Sequence, residues 1–301
     1  MLHRYRFCGA EREELPARGE IGEGEPRMEA QLTDSQVDGG SLMRAVMALS
    51  GGMDSTGLLM RLLADGYEVS CLSFDYGQKH SIELERAKEN ISYLSQNGIH
   101  VDHMIAELGS VMGLFQSALT TEGIEVPEGH YESVQMKQTV VPNRNAIFSS
   151  ILYGFALSVA LREGKETKIA LGVHSGDHEI YPDCRPEFYE AIGEAFHIGN
   201  WDSELVSFHL PYIDGDKETI LTDSDEAIRS LGLDFDTVFS NTNTSYNPDE
   251  LGRSSGKSGA DVERILAFHS IGRKDPVEYV DGWESALENA LMEAEKHEEI
   301  T

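Results

Sequence analysis

From Met43 onward, short apolar runs alternate with longer stretches of helical period. Ala45–Leu49 (AVMAL) is apolar throughout and stops at Ser50-Gly51-Gly52, which predicts a strand ending in a tight turn. Thr56–Ala64 has helical spacing, Glu68–Phe74 (EVSCLSF) predicts a second strand, and Ser81–Gln96 predicts an amphipathic helix. Val101–Ile105 predicts a third strand, Arg144–Arg162 a long apolar helix, and Lys168–Val173 (KIALGV) another strand. Trp283–Thr301 reads as a helix with an acidic, solvated end. Alternation of this kind predicts an α/β fold, a parallel sheet with helices on both faces. Ligands of such sheets bind at the carboxyl ends of the strands, beside a topological switch point. Residues 1–42 break the pattern. They are rich in Glu, Gly and polar residues without a sustained period, and are expected to form a flexible extension ahead of a domain spanning 43–301.

Charge narrows the choice of partner. The 53 acidic and 24 basic residues give a formal charge of −29, which disfavours nucleic acid and anionic membrane surfaces. Cys8, Cys71 and Cys184 are odd in number and far apart, so no disulfide framework is expected. No apolar run of about 18 residues and no hydrophobic signal core is evident, and a cytoplasmic setting is the expectation.

The strongest local signal is Ser50-Gly51-Gly52-Met53-Asp54-Ser55, at a strand-to-helix junction. Free backbone N–H groups and the positive end of the helix dipole suit phosphate oxygens there, and glycine lets the backbone approach them. The Ser50 and Ser55 hydroxyls add donors. Asp54 would repel phosphate unless it orients the loop or helps hold Mg²⁺. Gly252-Arg253-Ser254-Ser255-Gly256-Lys257-Ser258 imitates a Walker loop but lacks one residue between the glycines and follows no apolar strand.

SGGMDS resembles the PP-loop of the ATP pyrophosphatases, which cleave ATP between its α- and β-phosphates. Three further blocks occur in order: Ser73–His80 (SFDYGQKH), Val141–Asn145 (VPNRN), and Asp177 followed by Tyr181–Phe188 (YPDCRPEF). With Ser117–Thr120 (SALT), they resemble the 7-cyano-7-deazaguanine (preQ0) synthase family of the queuosine pathway, from about Met43 to Tyr279. The resemblance implies a Rossmann-like, adenine nucleotide alpha hydrolase-like fold. It implies ATP and Mg²⁺ and the substrates 7-carboxy-7-deazaguanine and ammonia. An acyl adenylate would become an amide and then, with a second ATP, a nitrile. A homodimer is a further family expectation.

Residue types distribute these tasks. Ser50, Asp54, Ser55, Arg144 and Arg185 are the expected catalytic groups, the arginines as planar, permanently charged forks. Leu49 through Ser55, with Phe74, Gln78, His80 and Asn145, are expected around the nucleotide. Asp75, Tyr76, Asp177, Tyr181, Asp183, Arg185, Glu187 and Phe188 are expected around the substrate, carboxylates taking the N–H groups of a guanine-like ring and aromatics stacking on it. Lys79 is a further candidate for phosphate charge.

One departure concerns metal. The family pattern has a Cys before a Tyr and then CGxCxxC, four thiolates that hold a structural zinc. Ser245, Ser255, Ser258 and Asp261 stand at those positions in the 240–280 segment, read here as a loop, so no zinc is expected. His178-Glu179-Ile180 also departs from the family's small residues. The rival readings are a ligase joining a deazaguanine acyl group to another amine, a tRNA-modifying PP-loop enzyme, and a nucleotide-binding module without catalysis.

Overall fold

Five strands form one parallel sheet in the order β3-β2-β1-β4-β5 in the computed structural model, which describes residues 43–78, 82–120, 134–178, 180–245 and 248–298. In chain order the elements are β1 (Arg44–Ala48), α1 (Met53–Ala64), β2 (Glu68–Asp75), α2 (Ile82–Gln96), β3 (Asp102–Glu107) and α3 (Gly109–Met112). They continue with α4 (Arg144–Glu163), β4 (Thr167–Ala170), α5 (Pro186–Gly199), β5 (Val206–His209), α6 (Lys217–Ser230), α7 (Phe235–Ser240), α8 (Gly259–Ser270) and α9 (Trp283–Glu298). These residues fall within one unit, Ser41–Thr301.

The period-two pattern of β1 sends its side chains to two cores. Ala45, Met47 and Leu49 pack with α1, α2, α6 and α7 on one face. Val46 packs with Leu72, Phe74 and the inner stripe of α4 (Leu152, Ala156, Val159, Ala160) on the other. Each fully buried leucine contributes roughly 1.5–3 kcal/mol, so the central strand is held from both sides. Helix α4 is long and apolar enough to cross a membrane by length and composition, the one such helix among the described residues. Its apolar stripe lies on the sheet, which accounts for that composition.

Two expectations are corrected. The 240–280 segment is more than a loop, because α8 occupies its centre, opened by a capping box between Ser258 and Asp261. The sheet also has a strand beyond the last one expected. β5 is four residues (VSFH) at the edge, too short and too polar to register as a run.

The order reverses between β1, which continues to β2, and β4, which continues to β5. Both strands present their carboxyl ends at this switch point, where a crevice opens.

Candidate active site

The phosphate loop turns out of β1 into α1 and is braced by its own side chains. Ser50 Oγ and Ser55 Oγ lie 2.9 Å apart, and the N–H of Gly52 donates to Ser50 Oγ at 3.2 Å. Gly51 adopts φ +85°, and a Cβ there would sit 1.9 Å from the carbonyl oxygen of Glu83. Only glycine fits on both counts. From across the crevice, the N–H of Asn243 donates to Gly51 O at 3.0 Å and ties the loop to the segment after α7.

Behind the loop lies a buried charge cluster. Lys217, the first residue of α6, is 5% exposed, and its Nζ lies 2.8 Å from Asp54 Oδ2, 2.8 Å from His174 Nε2 and 3.3 Å from Glu263 Oε2. Burial alone pushes the Asp54 carboxyl up. The charges of Lys217, His174 and Arg264, with the Lys217 hydrogen bond, overcome this and hold it below its ordinary value. Burial likewise opposes charge on Lys217, but Asp54, Glu263 and Asp177 outweigh it and raise its pKa. Burial raises the Glu263 carboxyl, an effect that Lys217 and His174 only partly offset. Among the described residues, Asp54 Oδ1 is buried without a hydrogen-bond partner.

In front of the loop is a cavity of about 280 Å³. Leu49, Ser50, Gly52, Asp54 and Ser55 line one end, with Gly172 of the β4 exit close beside them. Phe74 and Phe148 form one wall, stacked 4.0 Å apart at 6°. Tyr76, Gln78, Arg144, Asn145, Asp177 and Tyr181 complete the expected residues that line it. Arg144 opens α4, bonds Tyr76, and places its guanidinium 5.6 Å from the Tyr181 ring centroid. Tyr181 in turn is set by a 2.7 Å hydrogen bond between its hydroxyl and Thr139 Oγ1.

Several expected residues do not line the cavity. Asp183 accepts hydrogen bonds from the backbone N–H and the side chain of Asn145 (3.2 and 3.3 Å) and so braces the start of α4. Arg185 is exposed and its Nε donates to His178 O at 2.7 Å. Glu187 is exposed in the first turn of α5, and Phe188 packs edge-on against Tyr189. Asp75 accepts from the Gly77 N–H at 3.2 Å. Met53 belongs to the hydrophobic core, and Gly51 contributes backbone only. Lys79, His80 and Glu179 lie outside the described residues.

Sequence reading missed Lys217, His174 and Glu263 in the cluster, and Glu83, Phe148, Cys184 and Tyr189 in the cavity wall. Lys217 follows a helix-start signal, Asp216 with Thr219, in which the Asp216 carboxylate caps α6. That signal locates the helix and says nothing of the lysine's burial.

Glu83, in the first turn of α2, carries a testable consequence. Burial pushes its carboxyl from 4.5 up to about 7, with Arg144 opposing. The native chain therefore keeps a proton there that the unfolded chain releases. The associated stability is complete below pH 4.5 and is lost as pH rises through about 7. Glu83→Gln should lose less stability than wild type across that window, read as urea midpoint against pH. Parallel curves for the two proteins would show that Glu83 does not titrate there.

A family model described as "Queuosine biosynthesis protein QueC" matches residues 44–272. A 7-cyano-7-deazaguanine synthase from Caldicellulosiruptor saccharolyticus is 44% identical over 79% of this chain and 96% of its own. Another from Methanoregula boonei is 42% identical over 79% of this chain and 99% of its own. Among solved structures, NMN synthetase from Francisella tularensis covers 84% of this chain and 87% of its own, at 10% identity and a TM-score of 0.38. That likeness is too loose to carry an argument.

Proposed function

This chain belongs to the QueC family of 7-cyano-7-deazaguanine synthases, and on that premise we propose that its crevice converts 7-carboxy-7-deazaguanine and ammonia to 7-cyano-7-deazaguanine, using ATP in a cytoplasmic biosynthetic reaction. The observation that carries this reading is the placement of the phosphate loop. It lies at the switch point between β1 and β4, backed by the Asp54–Lys217 pair and facing a cavity with an aromatic wall.

The substrate carboxylate attacks the α-phosphorus of ATP, the bond to the β-phosphate breaks, and an acyl adenylate and pyrophosphate form. Ammonia adds to the acyl carbon, AMP leaves, and a proton is released with the amide. The amide oxygen attacks the α-phosphorus of a second ATP and a second pyrophosphate leaves; loss of AMP and of both amide protons then gives the nitrile. Each round turns a poor leaving group into a phosphate ester. The protein's part is positioning and charge stabilisation. The loop N–H groups and the hydroxyls of Ser50 and Ser55 meet phosphate oxygens. Arg144 is the cavity's guanidinium for the carboxylate or the α-phosphate. Phe74 with Phe148 offers a face for a flat ring, and Asp177 and Glu83 offer acceptors for its N–H groups.

The donor set suits Mg²⁺ at Asp54, whose Oδ1 is a buried, unpartnered hard oxygen beside the phosphate loop. Bound there, the ion would neutralise phosphate charge.

The test is to incubate the protein with the carboxylate, ammonia, ATP and Mg²⁺ and identify products by mass. AMP and pyrophosphate, with two ATP consumed per nitrile, are the expected outcome. ADP and phosphate would sink the mechanism. An amide or an amine conjugate as the end product would move the chain to the ligase reading with the same first step.

A further inference from the structure

The positions that resemble a zinc site converge in space, on a carboxylate. Ser245 Oγ, Ser255 Oγ and Ser258 Oγ all donate to Asp261 Oδ2, at 2.9, 2.7 and 2.8 Å, and the Ser258 N–H adds a fourth bond at 3.2 Å. The hydroxyls are occupied in their turn. Ser245 Oγ accepts from the Ser255 N–H, Ser255 Oγ from the Lys257 N–H, and Ser258 Oγ from the Asp261 N–H. Asp261 is completely buried. This donor set does not fit zinc. Neutral hydroxyls are weak ligands for it, and the carboxylate oxygen takes the centre towards which the three side chains point.

The knot reaches the active site by two short routes. Ser245 itself lines the cavity with Asn243 and Thr244. The side chain of Asn243 bonds Ser245 O at 3.1 Å while its N–H holds Gly51 O of the phosphate loop. On the other side, Ser258 and Asp261 form the capping box that starts α8, and the next turn of that helix delivers Glu263 to Lys217. Anything that loosens Asp261 therefore loosens both the wall of the phosphate loop and the partner of the buried lysine.

We propose that Asp261 is a positioning residue, whose carboxylate, gripped by Ser245, Ser255 and Ser258, aligns the phosphate loop and the Lys217–Glu263 pair without any metal. The inference rests on the reading of the cavity as the ATP site, but its metal arm needs no turnover. Burial raises the Asp261 carboxyl above its ordinary value, and the hydrogen bonds from Ser255, Ser258 and Ser245 offset that rise only in part.

The experiment has three arms. Wild-type protein purified in zinc-supplemented medium is measured for zinc content and for thermal unfolding with and without a zinc chelator. Less than a tenth of an equivalent of zinc and superimposable unfolding curves are expected. One zinc per chain, removed with a fall in the unfolding temperature, would overturn the proposal. Asp261→Asn keeps the shape and one acceptor oxygen but removes the negative charge on which the three hydroxyls converge. It should lower kcat at saturating ATP tenfold or more, assayed well below its own unfolding transition, with KM for the acid changed less than threefold. Wild-type kcat in that variant would refute the positioning role. Ser255→Ala removes one donor and leaves the capping box intact, so it remains informative if Asp261→Asn fails to fold. A kcat lowered at least threefold in a protein with a wild-type unfolding temperature supports the proposal, and an unchanged kcat refutes it. If wild-type protein turns over no ATP at all, the metal arm still stands while the ATP reading fails.

Discussion

Lys217→Met should lower kcat/KM by about a thousandfold or more, equivalent to about 4 kcal/mol of transition-state stabilisation. The ammonium is the hub of the cluster behind the phosphate loop, touching Asp54, His174 and Glu263 within 3.3 Å. Without it, the half-buried Asp54 and Glu263 lose their nearest cation, and the Asp54 carboxyl rises from its depressed value. In the proposed mechanism, a protonated Asp54 would neither hold Mg²⁺ nor orient the loop. Lys217→Arg keeps the charge but is longer and planar, and should retain more activity than Lys217→Met. Turnover is to be measured on protein shown by circular dichroism to be folded at the assay temperature. Activity within tenfold of wild type in Lys217→Met would remove the cluster from the mechanism.

The largest stability effect is expected at Arg264. It is 1% exposed, and its five N–H groups all have acceptors. Nε and Nη2 reach the two oxygens of Asp275 at 2.6 and 2.9 Å, Nη1 reaches Thr242 and Thr244, and Nη2 also reaches Phe239 O. The guanidinium lies over the Phe268 ring, 5.3 Å from its centroid. Arg264→Leu strands the Asp275 carboxylate in the core with Tyr279 and the Val277 N–H as its remaining donors among the described residues, and should cost about 3–5 kcal/mol. Urea unfolding reads this directly. The double variant with Asp275→Leu should recover part of the loss, because the charge left uncompensated by the single change is then gone too. A cost under about 1 kcal/mol for Arg264→Leu would mean the pair carries no net weight.

Arg264 also shows how far a sequence reads. In the sequence it is one arginine three residues after Asp261, and Asp275, Thr242 and Phe239 become its acceptors only when α7 and α8 pack together. The same holds for Asp183 and Arg185. Both stood in a block that resembled substrate-binding residues, and both have the right chemistry. In the fold, one carboxylate serves Asn145 and one guanidinium serves His178 O, and neither residue lines the cavity. A motif gives the residue type, whereas the direction of a side chain depends on neighbours distant in the chain.

What the sequence determined by itself was whatever depends on neighbours close along the chain. The apolar runs specified β1, β2 and the inner face of α4, because burial pattern and period are local properties. SGGMDS specified the loop, because a positive φ at Gly51, two bracing hydroxyls and the start of α1 all lie within six residues. The ordered blocks specified the family. Tertiary structure alone decided which charges meet. Asp54 and Lys217 are 163 residues apart and pair because α6 packs on α1; Glu263 joins them from α8. Ser245 and Asp261 are 16 residues apart and become one hydrogen-bonded knot. Such pairs leave no periodic trace, because a buried charge is written as one letter while the partner that makes its burial tolerable is supplied by packing.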